Sequence, residues 1–546
     1  MEKKKVWPLM LASVLLLGAC STGKKEDTAK KSDEQVFNLS VVQEMPSADL
    51  SKATDTISFT ALNNIYEGAY RLDKDNKPQP AGAEKLAQVS DDGLTYDIKL
   101  RDDAKWSNGD DVTADDYVFA WQRTVDPDTG AEYAYLFGCI ENGNDIINGE
   151  KDPEELGIKA VNDHELEIKL AEQTPFFDYL LAFPSFFPQP QAVVEEKGDN
   201  FAKTDEDSVY NGPFKLADFS GAGSDTEWSY LANDKYWDKD TVKLDKINVS
   251  VVKESATGLN LFKDGQTDDV VLSGELAQQN TSDPQFKSIK EARTSYIELN
   301  QSKKDSPFNN QNLRLALSYA LDRESLVKQV LGDGSTASVN LLPKETQADP
   351  DTGKDFTEVS NSTLPYDKDK AQEYWEKAKK ELDIDSLEFD LLSDDTDANK
   401  KAAEYIQGAW QELDNMKVSI TNVPFSVRLD RSNTGKFDAV LGGWAADYLD
   451  ASSFTDLFQT GNSYNRGKWS NDDYDTLVKK AATTNAGNPE ERFKDLVEAE
   501  EILNQEMGVI PVFQKAEGHL VSAKVKGIVN HAAGAKFDYK WTYIEE

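Results

Sequence analysis

Asp447 is the residue with the clearest chemical potential, and it lies in the run FDAVLGGWAADYLD (residues 437–450). The apolar stretch before it predicts a strand that enters a core, and a carboxylate that leaves water costs several kcal/mol unless a cation meets it. That cation belongs either to the protein or to a ligand. The neighbouring residues Gly443, Ala445 and Ala446 are small, so the backbone of a ligand could come close to this segment.

The sequence offers no comparable group for enzymatic chemistry. Its three histidines, His164, His519 and His531, are far apart and lack metal-ligand spacing. Neither a GxSxG nucleophile elbow nor a GxxxxGK[ST] phosphate loop occurs. Carboxylate pairs carry no information in a chain with 99 acidic residues. We therefore predict no catalytic residue, no metal site and no cofactor.

The overall charge excludes one large class of partners. The chain has 60 Lys and Arg against 99 Asp and Glu, a formal net charge of −39. A surface this acidic repels phosphate backbones, so we expect no nucleic-acid partner. Its 546 residues and 38% hydrophobic content are enough for about two to four folded domains.

The N-terminal residues are typical of a secreted lipoprotein. Three lysines at positions 3 to 5 precede a short apolar run, Val6 to Leu17, which ends in Leu-Gly-Ala-Cys20. The run is too short to span a membrane comfortably but suits a secretion signal. We interpret residues 1–19 as a signal peptide and Cys20 as a lipidation site. An ordinary signal peptide with a chance cysteine, or a retained anchor, is the alternative.

The residues after Cys20 are expected to form a tether. Residues 20–35 are polar and lack large apolar side chains, which predicts a flexible segment. If Cys20 carries lipid, Cys139 is the remaining thiol and no internal disulfide can form. Its apolar setting, YLFGCI, favours a small buried hydrophobic role.

Strand and helix patterns alternate through the rest of the chain. A first strand is expected from Val36, and Leu94–Leu100 alternates apolar and polar residues like a half-buried strand. Thr113 begins a capping box before a helix, and residues 157–170 read as two strands about a turn. Apolar residues at helical spacing over 313–332 predict a helix that ends at Gly332. The fold class is therefore α/β or mixed α+β with several layers.

The run PAGAEKLAQVSDDGLTYDIKLRDDAKWSNGDDVTADDYVFAWQRTVDP (residues 80–127) resembles the signature region of the solute-binding proteins of peptide ABC importers. Three further blocks agree with that family: LNNIYEGAYRLD (62–73), YNGPFKL (210–216) and SPFNNQNLRLALSYALDRESLV (306–327). The resemblance extends from about residue 37 to the C-terminus.

This resemblance implies a two-lobed periplasmic-binding-protein-like fold with an extra subdomain in lobe I and two hinge crossings. The ranges it implies are lobe I at 36–292 with a subdomain at about 68–190, lobe II at 293–510, and a return to lobe I at 511–546. By position, the crossings are expected near Arg293 to Leu299 and near Gly508 to Val512. Closure of such lobes buries a ligand between them.

The resemblance also assigns a role to Asp447. In oligopeptide-binding members a Trp-x-x-Asp pair meets the free N-terminus of the peptide, so Asp447 would accept the α-ammonium and Trp444 would exclude water. Further expected peptide contacts are Tyr135, Tyr296, Arg431 (for the carboxyl end), Gly443, Ala446 and Thr54. Some members carry a disulfide between the first hinge segment and this strand; those positions are Arg293 and Ala445 here, so the disulfide is absent.

The expected function is thus that of a monomeric, lipid-anchored protein on the extracytoplasmic face of the cell membrane. It captures oligopeptides and delivers them to an ABC permease, without covalent chemistry. The polar tether and the missing disulfide suggest a Gram-positive host. Two alternatives stay open: a receptor for a specific signalling peptide, and a binder of nickel, haem or an oligosaccharide on the same fold.

Overall fold

The computed structural model describes residues 34–360, 362 and 365–545. The predicted signal peptide (1–19), Cys20 and the tether up to residue 33 lie outside the described residues. Within the described ranges, no helix is both long enough and apolar enough to cross a bilayer.

The strands are, in chain order, β1 (Val36–Val41), β2 (Tyr70–Leu72), β3 (Pro78–Pro80), β4 (Gln88–Val89), β5 (Thr95–Lys99), β6 (Ile158–Asn162), β7 (Glu165–Lys169), β8 (Phe214–Ala217), β9 (Glu227–Ala232), β10 (Lys246–Val251), β11 (Asp269–Leu272), β12 (Phe286–Leu299), β13 (Thr336–Ala337), β14 (Leu387–Asp394), β15 (Met416–Val423), β16 (Ala439–Ala445), β17 (Ile510–Val521), β18 (Val525–Lys526), β19 (Val529–Asn530), β20 (Phe537–Asp538) and β21 (Tyr543–Ile544).

The α-helices are α1 (Thr56–Ile65), α2 (Ala114–Val125), α3 (Gly143–Ile147), α4 (Phe177–Leu180), α5 (Gln191–Lys197), α6 (Ser255–Lys263), α7 (Gly274–Asn280), α8 (Gln311–Tyr319), α9 (Arg323–Ser325), α10 (Phe356–Val359), α11 (Lys368–Leu382), α12 (Asp397–Trp410), α13 (Phe425–Asn433), α14 (Ser452–Thr455), α15 (Asp472–Ala482) and α16 (Pro489–Glu506). A 3₁₀ segment, Glu132–Cys139, belongs to the site described below.

One long mixed sheet organises the molecule, with strand order β15-β14-β16-β12-β17-β11-β1-β10-β9-β8 and β13 paired to β17. The two longest strands, β12 and β17, lie at its centre and pair antiparallel with each other. Both expected hinge segments fall on this pair. A separate sheet, β4-β5-β7-β6, lies inside the range expected for the subdomain.

The buried apolar residues form two large clusters on either side of the β12–β17 pair. The first contains Phe37, Tyr117 and Trp228, while the second contains Trp375 and Trp410. Both central strands pass from one cluster to the other: β12 contributes Tyr296 to the first and Ile297 to the second, and β17 contributes Val521 to the first and Val512 to the second. The segment from Ala446 to Val509 supplies residues mainly to the first cluster.

Local sequence signals predicted several elements correctly. The first strand begins at Val36, and Thr113 forms the capping box of α2 with Asp116 at the third helical position. Residues 157–170 form the β6–β7 hairpin. Cys139 is half-buried in an apolar setting, and burial raises the pKa of its thiol to about 12.

The single helix expected over 313–332 is wrong. Helix α8 ends at Tyr319, and a new turn begins where the Asp322 side chain accepts a hydrogen bond from the Ser325 backbone N–H. A π-helical stretch, Leu326–Leu331, follows and ends at Gly332 in the left-handed region. Because Asp322 caps a new turn, the helix is interrupted there, although the apolar residues on both sides keep helical spacing.

Candidate ligand-binding site

Strand β16 carries the site and leaves part of one edge unpaired. It pairs with β12 over its whole length, from Leu299–Ala439 to Arg293–Ala445. On its other edge β14 reaches only Ala439 and Val440. The edge of Leu441 to Ala445 therefore has no strand partner within the described part of the chain. An unpaired edge of this kind can accept an extended backbone.

Asp447 follows this strand and is held by two tyrosines. Its carboxylate accepts a hydrogen bond from the Tyr133 hydroxyl at Oδ1 (3.0 Å) and from the Tyr135 hydroxyl at Oδ2 (3.4 Å). The Asp447 backbone N–H donates to the Ser453 hydroxyl (2.9 Å). The residue is 6% exposed, and no lysine, arginine or histidine of the described ranges forms an ion pair with it.

Burial dominates the electrostatics of this carboxyl group. It raises the pKa of Asp447 to about 8, while the hydrogen bonds from Tyr133 and Tyr135 lower it less. Without a cation, the group is therefore largely protonated at neutral pH. A cationic ligand would restore the ionised form and gain a charge-assisted hydrogen bond in a dry site.

Trp444 closes the site with a wall of aromatic rings. Its ring stacks on Tyr133 with centroids 6.0 Å apart and meets Tyr464 edge-on at 4.6 Å. Trp444 is buried, and its indole N–H has no hydrogen-bond partner among the described residues. A buried donor without an acceptor is rare, and it is available to a ligand.

A cavity, which we call the Asp447 cavity, opens in front of this wall. Four residues expected from the sequence line it: Asp447, Trp444, Gly443 and Thr54. Its lining also includes three arginines: Arg293, Arg428 and Arg466. The cavity thus combines a carboxyl group without a cation and several guanidinium groups.

Two of these arginines have no acidic partner. Arg428 is 4% exposed, and neither it nor Arg293 forms an ion pair or a side-chain hydrogen bond within the described ranges. Desolvation lowers the pKa of Arg428 to about 10, so it stays charged at neutral pH. Arg466, in contrast, donates to the Asn433 side chain (2.7 Å). A buried guanidinium that lacks an anion favours an anionic ligand group.

Asp55 is a second carboxyl group on the wall of the Asp447 cavity. Its Oδ1 caps α1 by accepting from the backbone N–H groups of Ile57 and Ser58, while Oδ2 is buried without a partner. Burial raises its pKa to about 6. The capping bonds account for its position, and its free oxygen faces the same cavity as Asp447.

The structure places the other expected residues at different distances from the site. Tyr135 contacts Asp447 directly. Ala446 is buried, and its backbone bonds to Ala292 and Gly534. Tyr296 is buried edge-on to Phe458, away from the lining of the Asp447 cavity. Arg431 bonds through Nε to the Lys436 carbonyl (3.1 Å) and does not line that cavity either.

Sequence reasoning missed Tyr133 and Arg428. Both lie close in sequence to residues that were expected, Tyr133 two positions before Tyr135 and Arg428 three positions before Arg431. The first pair lies on the tight 3₁₀ segment Glu132–Cys139 and the second on α13. Only the turn geometry of these elements decides which of two neighbours faces the cavity.

Comparison with known proteins gives consistent matches over the whole described body. A family model for bacterial extracellular solute-binding proteins, family 5 (middle), matches residues 77–466. A dipeptide-binding protein of Lactococcus lactis subsp. cremoris is 37% identical over 98% of this chain and 97% of its own. These matches confirm the expectation of a binding protein that is not an enzyme.

Solved structures agree with the fold. Listeria monocytogenes OppA bound to peptide superposes with a TM-score of 0.90 at 42% identity, covering 94% of this chain and 100% of its own. The peptide-binding pheromone receptor PrgZ gives a TM-score of 0.90 at 40% identity with the same coverage. The expected two-lobed binding-protein fold is confirmed.

Two structures of one relative allow the arrangement of the lobes to be compared. The murein tripeptide binding protein MppA of Escherichia coli superposes with a TM-score of 0.85 at 26% identity, covering 94% of this chain and 99% of its own. Its unliganded open form gives only 0.62 at 25% identity, covering 94% and 98%. The arrangement of the lobes is therefore far from that open form.

Proposed function

Because the chain belongs to the bacterial extracellular solute-binding proteins of family 5, we propose that it captures short peptides as zwitterions between its two lobes and delivers them to an ABC permease. The single observation that carries this proposal is the charge pattern of the Asp447 cavity. One buried carboxyl group, Asp447, lacks a cation, and neither the buried guanidinium of Arg428 nor the half-buried guanidinium of Arg293 forms an ion pair among the described residues.

A peptide matches this pattern whatever its sequence. Its α-ammonium would displace the proton on Asp447 and stay shielded from water by Trp444. The carboxylate of the peptide would contact Arg428 and Arg293. These two residues would then have the role that the sequence suggested for Arg431. Because Asp447, Arg428 and Arg293 all line one cavity, both ends of the peptide would lie close together, and the geometry favours peptides of a few residues.

The free edge of β16 supports the same proposal. A peptide backbone beside Leu441 to Ala445 would gain main-chain hydrogen bonds that do not depend on its side chains. Thr54 also lines the cavity, and it belongs to the N-terminal lobe in the domain division that we propose. In that division, lobe I covers residues 36–292 and 511–546, lobe II covers 293–510, and β12 and β17 form the two crossings. Residues 446–509, although assigned to lobe II by position, pack mainly on the apolar cluster of lobe I.

We further propose that the mature protein is a monomer anchored by lipid at Cys20 to the outer face of the cell membrane. The sequence Leu-Gly-Ala-Cys20 and the polar residues that follow it support this anchor. The relatives of family 5 support the extracytoplasmic location. A metabolic-labelling experiment with palmitate, in the wild type and in Cys20→Ser, tests the anchor directly.

A receptor for one signalling peptide is the second candidate, because PrgZ superposes as well as OppA does. The unpaired charges of the Asp447 cavity recognise features that all free peptides share, so we favour the general peptide binder. A promiscuous protein binds many unrelated short peptides, whereas a receptor prefers one by orders of magnitude.

Native mass spectrometry of residues 21–546, as purified and after denaturation and refolding, tests the proposed function. We expect a heterogeneous set of co-purified masses that correspond to short peptides and disappear after refolding. A single bound peptide would favour the receptor. An empty protein that binds no peptide after refolding would overturn the proposal.

A further inference from the structure

We propose that a second cavity, separate from the Asp447 cavity, binds a small organic amine with an apolar body. This cavity has a volume of about 570 Å³, which is within the usual range of small-molecule pockets. We call it the Cys139 cavity, after the cysteine in its wall. The wall comes from two distant parts of the chain, residues 135–176 and residues 448–496. The inference goes beyond peptide capture and does not depend on it.

The Cys139 cavity and the Asp447 cavity have no lining residue in common. They are connected only through Tyr135, which lines the Cys139 cavity and donates a hydrogen bond from its hydroxyl to the Asp447 carboxylate (3.4 Å). Asp447 and the arginines proposed to bind the peptide ends do not line the Cys139 cavity. A ligand of this cavity therefore uses none of those groups.

Most of the wall of the Cys139 cavity is apolar. Phe176 and Tyr448, one from each part of the wall, stack with their ring centroids 4.1 Å apart. Leu136, Val478 and Leu496 add aliphatic side chains. An apolar ligand body would displace water from these groups, and burial of apolar surface is the main source of affinity in pockets of this kind.

One acidic group on this wall has no partner. Asp456 is half-buried, and its carboxyl group forms neither an ion pair nor a side-chain hydrogen bond among the described residues. The cation nearby, Arg492, is already bound to Asp450 through two hydrogen bonds (2.8 and 2.7 Å). Burial raises the pKa of Asp456 to about 7 despite the charge of Arg492. Ionised Asp456 thus leaves one negative charge without compensation.

This charge, together with the apolar wall, determines the class of ligand. The other charged residues of the wall, Glu172 and Lys479, are exposed and opposite in sign, so they leave the balance unchanged. An ammonium group would pair with Asp456 in surroundings where a charge-assisted hydrogen bond is strong. A carboxylate would find no free buried cation. A neutral molecule would fit the apolar wall but leave Asp456 unpaired.

Calorimetry with matched probes tests the inference. Tryptamine and n-octylamine carry an ammonium group on an aromatic and on an aliphatic body, and tryptophol and n-octanol have a hydroxyl group in its place. The protein is refolded residues 21–546 at pH 8, where Asp456 is ionised. We expect at least one amine to bind at least fivefold more tightly than its alcohol. A smaller ratio for both pairs, or no saturable binding of either amine, would overturn the inference.

Substitution of Asp456 tests which carboxyl group meets the ammonium. Asp456→Asn removes the charge at nearly constant size, so the ratio of amine affinity to alcohol affinity should fall to about one. The matched control is Asp473→Asn, which makes the same change at an exposed position of α15 outside the cavity and should keep the ratio. An unchanged ratio in folded Asp456→Asn would assign the amine to another carboxyl group and contradict the inference.

Cys139 locates the ligand in the wild type, so this test holds even if Asp456→Asn does not fold. It is the only cysteine of residues 21–546, and it is half-buried in the wall of the cavity. Methyl methanethiosulfonate modifies thiols and not amines, and the mass of the protein follows the reaction. A saturating amine should slow the modification of Cys139 at least fivefold. A smaller effect would place the amine outside the Cys139 cavity and overturn the inference.

Discussion

Asp447 lowers the stability of the ligand-free protein because its buried carboxyl group has two tyrosine hydroxyls and no cation around it. Arg428 has the opposite defect: its guanidinium is buried and forms no ion pair among the described residues, although the charge of Asp394 favours its ionised form. Burial of the Asp447 carboxyl group and of the Arg428 guanidinium each costs free energy, and the two groups do not form an ion pair with each other. A zwitterionic ligand would pair both, so the same residues that weaken the free protein supply the affinity for a peptide.

The first prediction concerns Asp447→Asn and pH. The folded pKa of Asp447, about 8, lies above its unfolded value near 3.9. The folded state therefore holds the proton more tightly, and the wild type loses stability as pH rises from about 4 to 8. The variant lacks this loss, so its free energy of unfolding without ligand should exceed that of the wild type at pH 8 by on the order of 5 kcal/mol.

Urea unfolding of refolded, ligand-free protein at pH 4.5 and pH 8 measures this effect. The difference between variant and wild type should fall to about 1 kcal/mol at pH 4.5. A variant that is less stable than the wild type at pH 8 would mean that the Asp447 carboxylate is compensated within the protein.

A second prediction separates Arg428 from Arg431. If Arg428 meets the peptide carboxylate, a free tripeptide should bind the wild type at least tenfold more tightly than its C-terminal amide. Arg428→Met should abolish most of this ratio. Arg431→Met on the same helix is the matched control and should preserve it. Loss of the ratio in the Arg431 variant alone would restore the role that the sequence suggested for Arg431.

At the scale of elements, β16 packs against β12 at one edge and offers the other edge to a ligand, and its two glycines are restricted to different degrees. Its β12 edge is closely packed, since a Cβ on Gly443 would lie 2.7 Å from the Thr294 carbonyl oxygen. Gly442 is less restricted, because the nearest atom to a Cβ there is Arg428 Nη1 at 3.8 Å. The other edge must stay free for a ligand backbone.

This contrast predicts different outcomes for two neighbouring substitutions. Gly443→Ala should lower the free energy of unfolding by about 1–3 kcal/mol, because a backbone carbonyl cannot move aside cheaply. Gly442→Ala should change it by less than about 0.5 kcal/mol. Thermal and urea unfolding of the two variants measure this. Equal stability of both would mean that β12 and β16 can separate without cost.

The sequence predicted elements more reliably than the residues that meet at the site. The capping box of α2, the β6–β7 hairpin and the Trp444–Asp447 segment depend on local patterns, and all were recognisable. Tyr133 and Arg428 were not, because their neighbours Tyr135 and Arg431 carry the same chemistry and only the local turn decides which one faces the cavity.

At the scale of the whole molecule, contacts across the cleft hold the lobes together. Lys253, after β10, forms ion pairs with Glu44 (2.7 Å) and with Asp395 after β14 (2.9 Å). The hydrogen bonds from Tyr133 and Tyr135 to Asp447 join the same two parts of the chain on the far side. In the proposed division only the Lys253–Asp395 pair connects the two lobes, because Glu44 and Lys253 both belong to lobe I. This pair does not involve the proposed peptide groups, so it would bias closure independently of the ligand.

Lys253→Met should therefore weaken the binding of all peptides by a similar factor, about threefold to tenfold. Calorimetry with three unrelated tripeptides measures this, and X-ray scattering should show a larger radius of gyration without ligand. Lys328→Met, which removes an exposed ion pair with Glu324, is the control and should change neither. A loss confined to one peptide would point to direct contact between Lys253 and the ligand.

The most direct test of the central claim is calorimetry with a tripeptide and its N-acetylated twin, on refolded wild type and Asp447→Asn. Acetylation removes the ammonium and leaves the rest of the peptide intact. If Asp447 receives the ammonium, acetylation weakens binding to the wild type by about 2–4 kcal/mol and has little effect on the variant. Equal binding of both peptides to the wild type would contradict the account and make Asp447 a structural residue.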